Sequence, residues 1–154
     1  MDQTWRAMLP TSVFAGAAAT VTFYAARKAL VLLGHLHPYE NRMVDQIWLA
    51  VPVFLLAGYL IGVRLSVQRQ SGDVWPAGFV GLVAANGGIV SGVFIWIGVE
   101  ELIFKRFGVF PVYEEHNLFP IEIIILWVLA AVPLIIGMWL GYVVSGFFRR
   151  RDAR

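Results

Sequence analysis

Histidine and glutamate side chains concentrate in two short segments of the chain. The candidate ligands are His35, His37 and Glu40 in the first segment, and Glu114, Glu115 and His116 in the second. Imidazole and carboxylate groups together suit zinc, copper(II), iron or manganese. If the two segments fold against each other, they supply enough ligands for one ion. The sequence therefore predicts a candidate site for a divalent transition metal, and the identity of any cofactor stays open.

The spacing of this cluster matches no specific metal-binding motif. On a helix His35 and His37 would point apart, so shared ligation needs the extended chain that Pro38 favours in the residue before it. Two other interpretations stay open. The segments are solvated loops, or they form a vestibule in which carboxylates attract cations and histidines change charge at about pH 6.5.

Other catalytic chemistry finds little support in the sequence. The chain has no cysteine, which excludes thiolate nucleophiles, disulfide exchange and Cys-ligated metal centres. It has no Gly-x-Ser-x-Gly elbow, no glycine-rich phosphate loop and no pair of carboxylates deep in an apolar stretch. We assign no catalytic residue and favour a protein that is not an enzyme; an enzyme would have to use the His and Glu cluster.

Four apolar stretches must position these segments. The chain has 154 residues, of which 59% are hydrophobic and 14% charged, against about 25% charged in soluble domains. The stretches cover about residues 10–34, 46–65, 76–99 and 121–148, each near the roughly 20 residues that cross a bilayer as a helix. The sequence predicts an all-α integral membrane protein, one domain over residues 1–154, with four transmembrane helices, short loops and a longer extracytoplasmic connection between the third and fourth.

The distribution of basic residues predicts the orientation. Four crossings place both termini on one side, together with Arg6, Arg64, Arg69, Arg149, Arg150, Arg151 and Arg154. The other side carries Arg27, Lys28, Arg42, Lys105 and Arg106. The positive-inside rule then places both termini in the cytoplasm and the protein in the cytoplasmic (inner) membrane. The basic residues are a topology signal and a contact with lipid, and no basic aromatic face indicates nucleic-acid binding.

Small residues recur at every fourth position in three of the stretches. The second stretch has Gly58 and Gly62, and the fourth has Gly137, Gly141 and Ser145. The third has two such rows, with Gly87 and Ser91 beside them: Ala77, Gly81 and Ala85, and then Ala84, Gly88 and Gly92. Such spacing places small side chains on one helical face, where a second helix can approach closely. The pattern predicts tight helix packing, inside one chain or between chains.

A few polar residues fall within the apolar stretches. Arg27 and Lys28 lie near the end of the first, and Glu100 and Glu101 end the third. We expect either an ion pair between one basic and one acidic member, or separate snorkelling to the headgroups. Asn86 lies centrally in the third stretch and is expected to hydrogen-bond across a helix seam.

Helix ends are also predicted. Pro38 is expected to stop the first helix. Glu101 and Lys105 have the favourable i, i+4 order, so the third helix is expected to continue as an α-helix beyond the membrane.

These observations support three functional hypotheses. The leading one is a non-catalytic accessory, assembly or scaffold subunit that packs through its small-residue faces with copies of itself or with other membrane subunits. The second is a small cation or proton channel or transporter with an acidic extracytoplasmic mouth, which needs a polar path past Thr20, Thr22, Asn86 and Ser91. The third is a metal-dependent membrane enzyme that uses the His and Glu cluster.

Overall fold

The fold consists of four long helices. A computed structural model describes residues 3–35, 43–68, 74–104, 106 and 119–152. The helices are α1 (Gln3–Leu32), α2 (Met43–Gln68), α3 (Val74–Val99) and α4 (Phe119–Asp152), and a π-helical segment (Glu100–Phe104) extends α3. Their stretches Met8–Leu32, Ile47–Val67, Trp75–Ile103 and Ile124–Phe148 are long and apolar enough to cross a membrane. An all-α, four-helix architecture compatible with an integral membrane protein is therefore confirmed.

The helices are longer than the apolar stretches that predicted them. α1 begins at Gln3, before the apolar stretch that starts near residue 10, and α4 continues to Asp152 beyond residue 148. Hydropathy marks only the part of a helix that lipid would surround, whereas backbone hydrogen bonding continues into polar residues. Pro10, Pro52 and Pro133 all lie inside helices.

The first helix ends at a glycine. Gly34 has a positive φ of 72°, a conformation that costs glycine little because it has no Cβ. The N–H of Gly34 bonds to the carbonyl of Val31, and the N–H of His35 bonds to that of Leu30. This pair of bonds is a Schellman cap, which satisfies the last carbonyls of the helix. The expectation that Pro38 stops α1 was wrong, because the helix has already ended before that residue, which itself lies outside the described residues.

The end of α3 also differs from expectation. An α-helix was predicted to continue through Glu101 to Lys105, but residues Glu100–Phe104 form a π-helix instead. A π turn carries more residues than an α turn and usually occurs as a single turn. The i, i+4 argument therefore does not apply to Glu101, and Lys105 lies outside the described residues.

The helices associate in two pairs. Within each pair the two helices run parallel and are not adjacent in sequence. α1 packs most extensively against α3, and α2 packs most extensively against α4. A smaller interface between α1 and α2 joins the two pairs. The largest fully buried side chains belong to Met8, Phe54, Ile61, Ile89 and Leu134, so all four helices contribute to the core.

Candidate functional site

The predicted metal site falls mostly outside the described residues. His35 follows the cap of α1 and is exposed, while His37, Glu40, Glu114, Glu115 and His116 all lie outside the described ranges. Within those ranges no group of three His, Asp or Glu side chains could hold a metal ion. Metal binding by the cluster stays a prediction.

The closest backbone approach lies between α2 and α4, along a line of four glycines that we term the α2–α4 seam. A Cβ added to Gly58, Gly62, Gly137 or Gly141 would overlap a backbone carbonyl of the opposite helix; the carbonyls belong to Leu134, Met138, Leu55 and Tyr59 respectively. Each helix contributes two glycines, so the contact is reciprocal. The seam exists because no side chain separates the two backbones.

The α2–α4 seam ends in a polar contact. The Ser66 hydroxyl donates to the carbonyl of Val63 at 2.8 Å, and the Ser66 and Ser145 oxygens lie 2.5 Å apart. Either hydroxyl can donate in the contact between Ser66 and Ser145. The small side chain at Ser145 therefore supplies both close packing and an interhelical hydrogen bond.

The pair α1 and α3 has its own line of glycines, the α1–α3 seam. A Cβ on Gly88 would overlap the Val13 carbonyl, and one on Gly92 would lie 2.7 Å from both the Ala17 oxygen and the Thr20 Cβ. From α1, Gly16 packs directly on the Ala85 carbonyl. Sequence reasoning missed Gly16, although its four-residue spacing from Thr20 follows the same small-residue rule.

Gly81 and Ala84 have different surroundings. Ala84 is buried, and Gly81 faces side chains instead of backbone. A Cβ at Gly81 would lie 3.3 Å from Ile61 and Met8 and 3.4 Å from the Ser12 oxygen, at the junction of α1, α2 and α3. The Ser12 side chain is fully buried, and its hydroxyl has no hydrogen-bond partner among the residues that the structure describes. This polar atom lies where the two helix pairs meet.

One of the alternative ion pairs between α1 and α3 forms. Lys28 Nζ lies 3.1 Å from Glu100 Oε1, and the two side chains are 23% and 25% exposed. One turn before it on each helix, the rings of Tyr24 and Trp96 stack with centroids 5.8 Å apart. The stack and the ion pair follow the α1–α3 seam in order along both helices.

The polar residues proposed as a transport path do not face one interior. Thr20 is fully buried and donates to the Gly16 carbonyl of its own helix, whereas Thr22 and Ser91 are exposed. Asn86 is half-buried and donates to the Leu82 carbonyl at 2.8 Å. The hydrogen bond of Asn86 therefore lies within α3, not across a seam as expected.

One face of α3 packs on none of the described helices. Val83, Gly87 and Ser91 are exposed and define what we term the exposed face of α3. A Cβ added to Gly87 would meet nothing within 4 Å, and the Ser91 hydroxyl donates to the Gly87 carbonyl. The face has the spacing of a packing seam without a helix on it.

Comparison with known proteins adds no family: no protein-family model, no curated protein and no solved structure matches this chain.

Proposed function

We propose that this chain is a non-catalytic membrane protein that acts as an accessory, assembly or scaffold subunit. It resides in the cytoplasmic membrane with both termini in the cytoplasm, and it binds copies of itself or other membrane subunits through the exposed face of α3. The single observation that carries the proposal is the contrast between the two sides of α3. Gly88 and Gly92 pack against α1, whereas Gly87 and Ser91 have the same spacing and open space beside them.

The small-residue faces inside the molecule are already occupied. Gly58, Gly62, Gly137 and Gly141 contact backbone across the α2–α4 seam, so these glycines are not available to a partner. In a bilayer lipid is as apolar as a leucine side chain, and helix association depends on close backbone approach and a few polar contacts. The exposed face of α3 offers both, since half-buried Asn86 lies beside it with an amide carbonyl that can accept a hydrogen bond.

Filling the exposed face tests the partner proposal. Gly87→Ile places a branched side chain where a partner helix would approach, and we expect it to abolish association. Self-association is measured by energy transfer between labelled copies in native membranes, and other partners by cross-linking from a cysteine at Val83, since the chain has no cysteine of its own. Gly146→Ile, on α4 with open space beside it, is the matched control. Equal association in both variants would contradict the proposal.

The orientation has a separate test. Arg6 and Arg106 are both exposed and lie at opposite ends of the helix bundle. In intact cells we expect a membrane-impermeant maleimide to label Arg106→Cys and to leave Arg6→Cys unlabelled until the cells are lysed. The reverse pattern would overturn the placement of the termini.

A further inference from the structure

The π-helical segment begins at the residue that forms the ion pair. Glu100 is a half-buried carboxylate within the apolar span, it contacts Lys28, and it is the first residue of the π turn. The next residue, Glu101, carries the same side chain and is also half-buried. Two identical carboxylates therefore occur in succession at the point where the helix changes its geometry.

A π turn can move along a helix. It holds one residue more than the α turn it replaces, so it adds one residue to the helix at the place where it occurs. If the π turn formed one turn earlier, each residue between the new and the old place of the π turn would move into the position that the preceding residue now holds. Glu101 would then occupy the place of Glu100 opposite Lys28, while the α1–α3 seam up to Gly92 would keep its contacts.

We propose that the end of α3 has two registers, in which either Glu100 or Glu101 pairs with Lys28. The two adjacent glutamates keep the half-buried ammonium paired in both registers. Without the second glutamate, an advance by one residue would leave the ammonium in an apolar span without that partner, which is costly in lipid.

The surroundings of the segment permit this shift. Gly98 has open space where a side chain would lie, and glycine accepts the altered backbone more readily than other residues. In the shift Ile103 takes the place of Leu102, and both side chains are apolar and exposed, so that place keeps an apolar side chain. On the other side, the Tyr24 and Trp96 stack and the contact of Gly92 with Thr20 hold the preceding turns in place.

The consequence of the shift is a change in the surface that this end of α3 presents. Leu102 and Ile103 rotate relative to the rest of the bundle, so a lipid or a neighbouring subunit contacts a different side chain in each register. This inference concerns residues 96–104 and does not depend on a partner at Gly87.

Stability measurements on three variants test the exchange of carboxylates. We expect Glu100→Gln alone to have a small effect on the unfolding equilibrium in detergent, because Glu101 then pairs with Lys28. In the double variant Lys28 has neither glutamate. Its equilibrium constant for unfolding should therefore rise about tenfold or more beyond the product of the increases in the two single variants, as is found for coupled residues. If Glu100→Gln unfolds the protein as much as the double variant does, the proposal is wrong.

Cysteine labelling reads the register directly. In the folded protein Leu102 is 71% exposed and Ile103 is 47% exposed, so Leu102→Cys should react faster with a maleimide than Ile103→Cys. Adding Glu100→Gln should reverse this order, because Ile103 then takes the place of Leu102. Adding Glu101→Gln, the matched control, should keep it. An unchanged order with Glu100→Gln would show a fixed ion pair and overturn the proposal.

Discussion

In both helix pairs the two backbones approach closely at glycines, but different side-chain contacts stabilise each pair. In the α2–α4 seam both helices contribute two glycines, and one pair of serines adds the interhelical hydrogen bond. In the α1–α3 seam most of the glycines come from α3, and an aromatic stack and an ion pair extend the contact. The comparison teaches that close backbone approach with one small polar contact can suffice for one pair, while the other adds larger side-chain contacts beyond its glycines.

The largest expected effect comes from the α2–α4 seam. Gly141→Ala places a methyl group against the Tyr59 carbonyl, so the helices must separate, and we expect the free energy of unfolding to fall by about 2–3 kcal/mol. The measurement is unfolding by a denaturing detergent, followed by circular dichroism. Gly146→Ala on the same helix meets open space and should be neutral or raise stability by up to about 1 kcal/mol. Equal effects at both glycines would show that the seam is not tightly packed.

The ion pair of the α1–α3 seam should rank second. Lys28→Met leaves the Glu100 carboxylate half-buried without this partner, and we expect a loss of about 2 kcal/mol, as for hydrogen bonds to charged groups. Exchanging the charges with Lys28→Glu and Glu100→Lys should recover most of the loss in the same unfolding measurement. Arg106→Gln changes an exposed cation at the same end of the bundle and should have little effect. A charge exchange as unstable as Lys28→Met would argue against a specific pair.

A gain in stability is expected where the two pairs meet. Ser12→Ala removes a fully buried hydroxyl that has no hydrogen-bond partner within the described ranges, so the free energy of unfolding should rise by about 1 kcal/mol. The thermal midpoint in detergent would report the change. Ser91→Ala removes an exposed hydroxyl that bonds within α3 and serves as the reference. A loss of stability in Ser12→Ala would indicate that the hydroxyl has a favourable role at this junction.

The smallest effect should come from the serine contact. Ser145→Ala removes the hydroxyl that bonds to Ser66, and interhelical hydrogen bonds in membrane proteins contribute about 0.6 kcal/mol on average. A double-mutant cycle with Ser66→Ala should give a coupling energy of that size in the unfolding assay. A coupling energy as large as that between Lys28 and Glu100 would contradict our comparison, because the polar contacts of the two helix pairs would then stabilise them equally.

Hydropathy and small-residue spacing predicted the helices and the kind of contact, because both are local properties of the chain. They could not predict which helices pair. Gly58 and Gly62, like Gly137 and Gly141, have the same spacing as Gly88 and Gly92. Only the fit of side chains from distant parts of the chain decides that α2 packs on α4 and α1 on α3. Gly16 was missed for a related reason, since a single glycine among alanines becomes distinctive only when Ala85 lies against it.

The helix ends show where local rules fail. Gly34 ends α1 through its positive φ, a property that the sequence permits but does not require, and Pro38 was the more obvious stop signal. Asn86 was expected to bond across a seam, but its amide reaches the Leu82 carbonyl, which is always within range on its own helix. Of the predicted metal ligands only His35 lies among the described residues, so the metal site remains a prediction.

The pairing of helices that are not neighbours in sequence has a consequence for biosynthesis. Lys28 is translated 72 residues before Glu100, and Ser66 is translated 79 residues before Ser145. At about 5–20 residues per second, the ribosome needs roughly 4 to 16 seconds to supply each missing partner. During that interval α1 and α2 have been made without their partner helices, so their glycines are uncovered. Final assembly therefore depends on the second hairpin arriving, and two separately translated halves divided within residues 69–73 should still find each other.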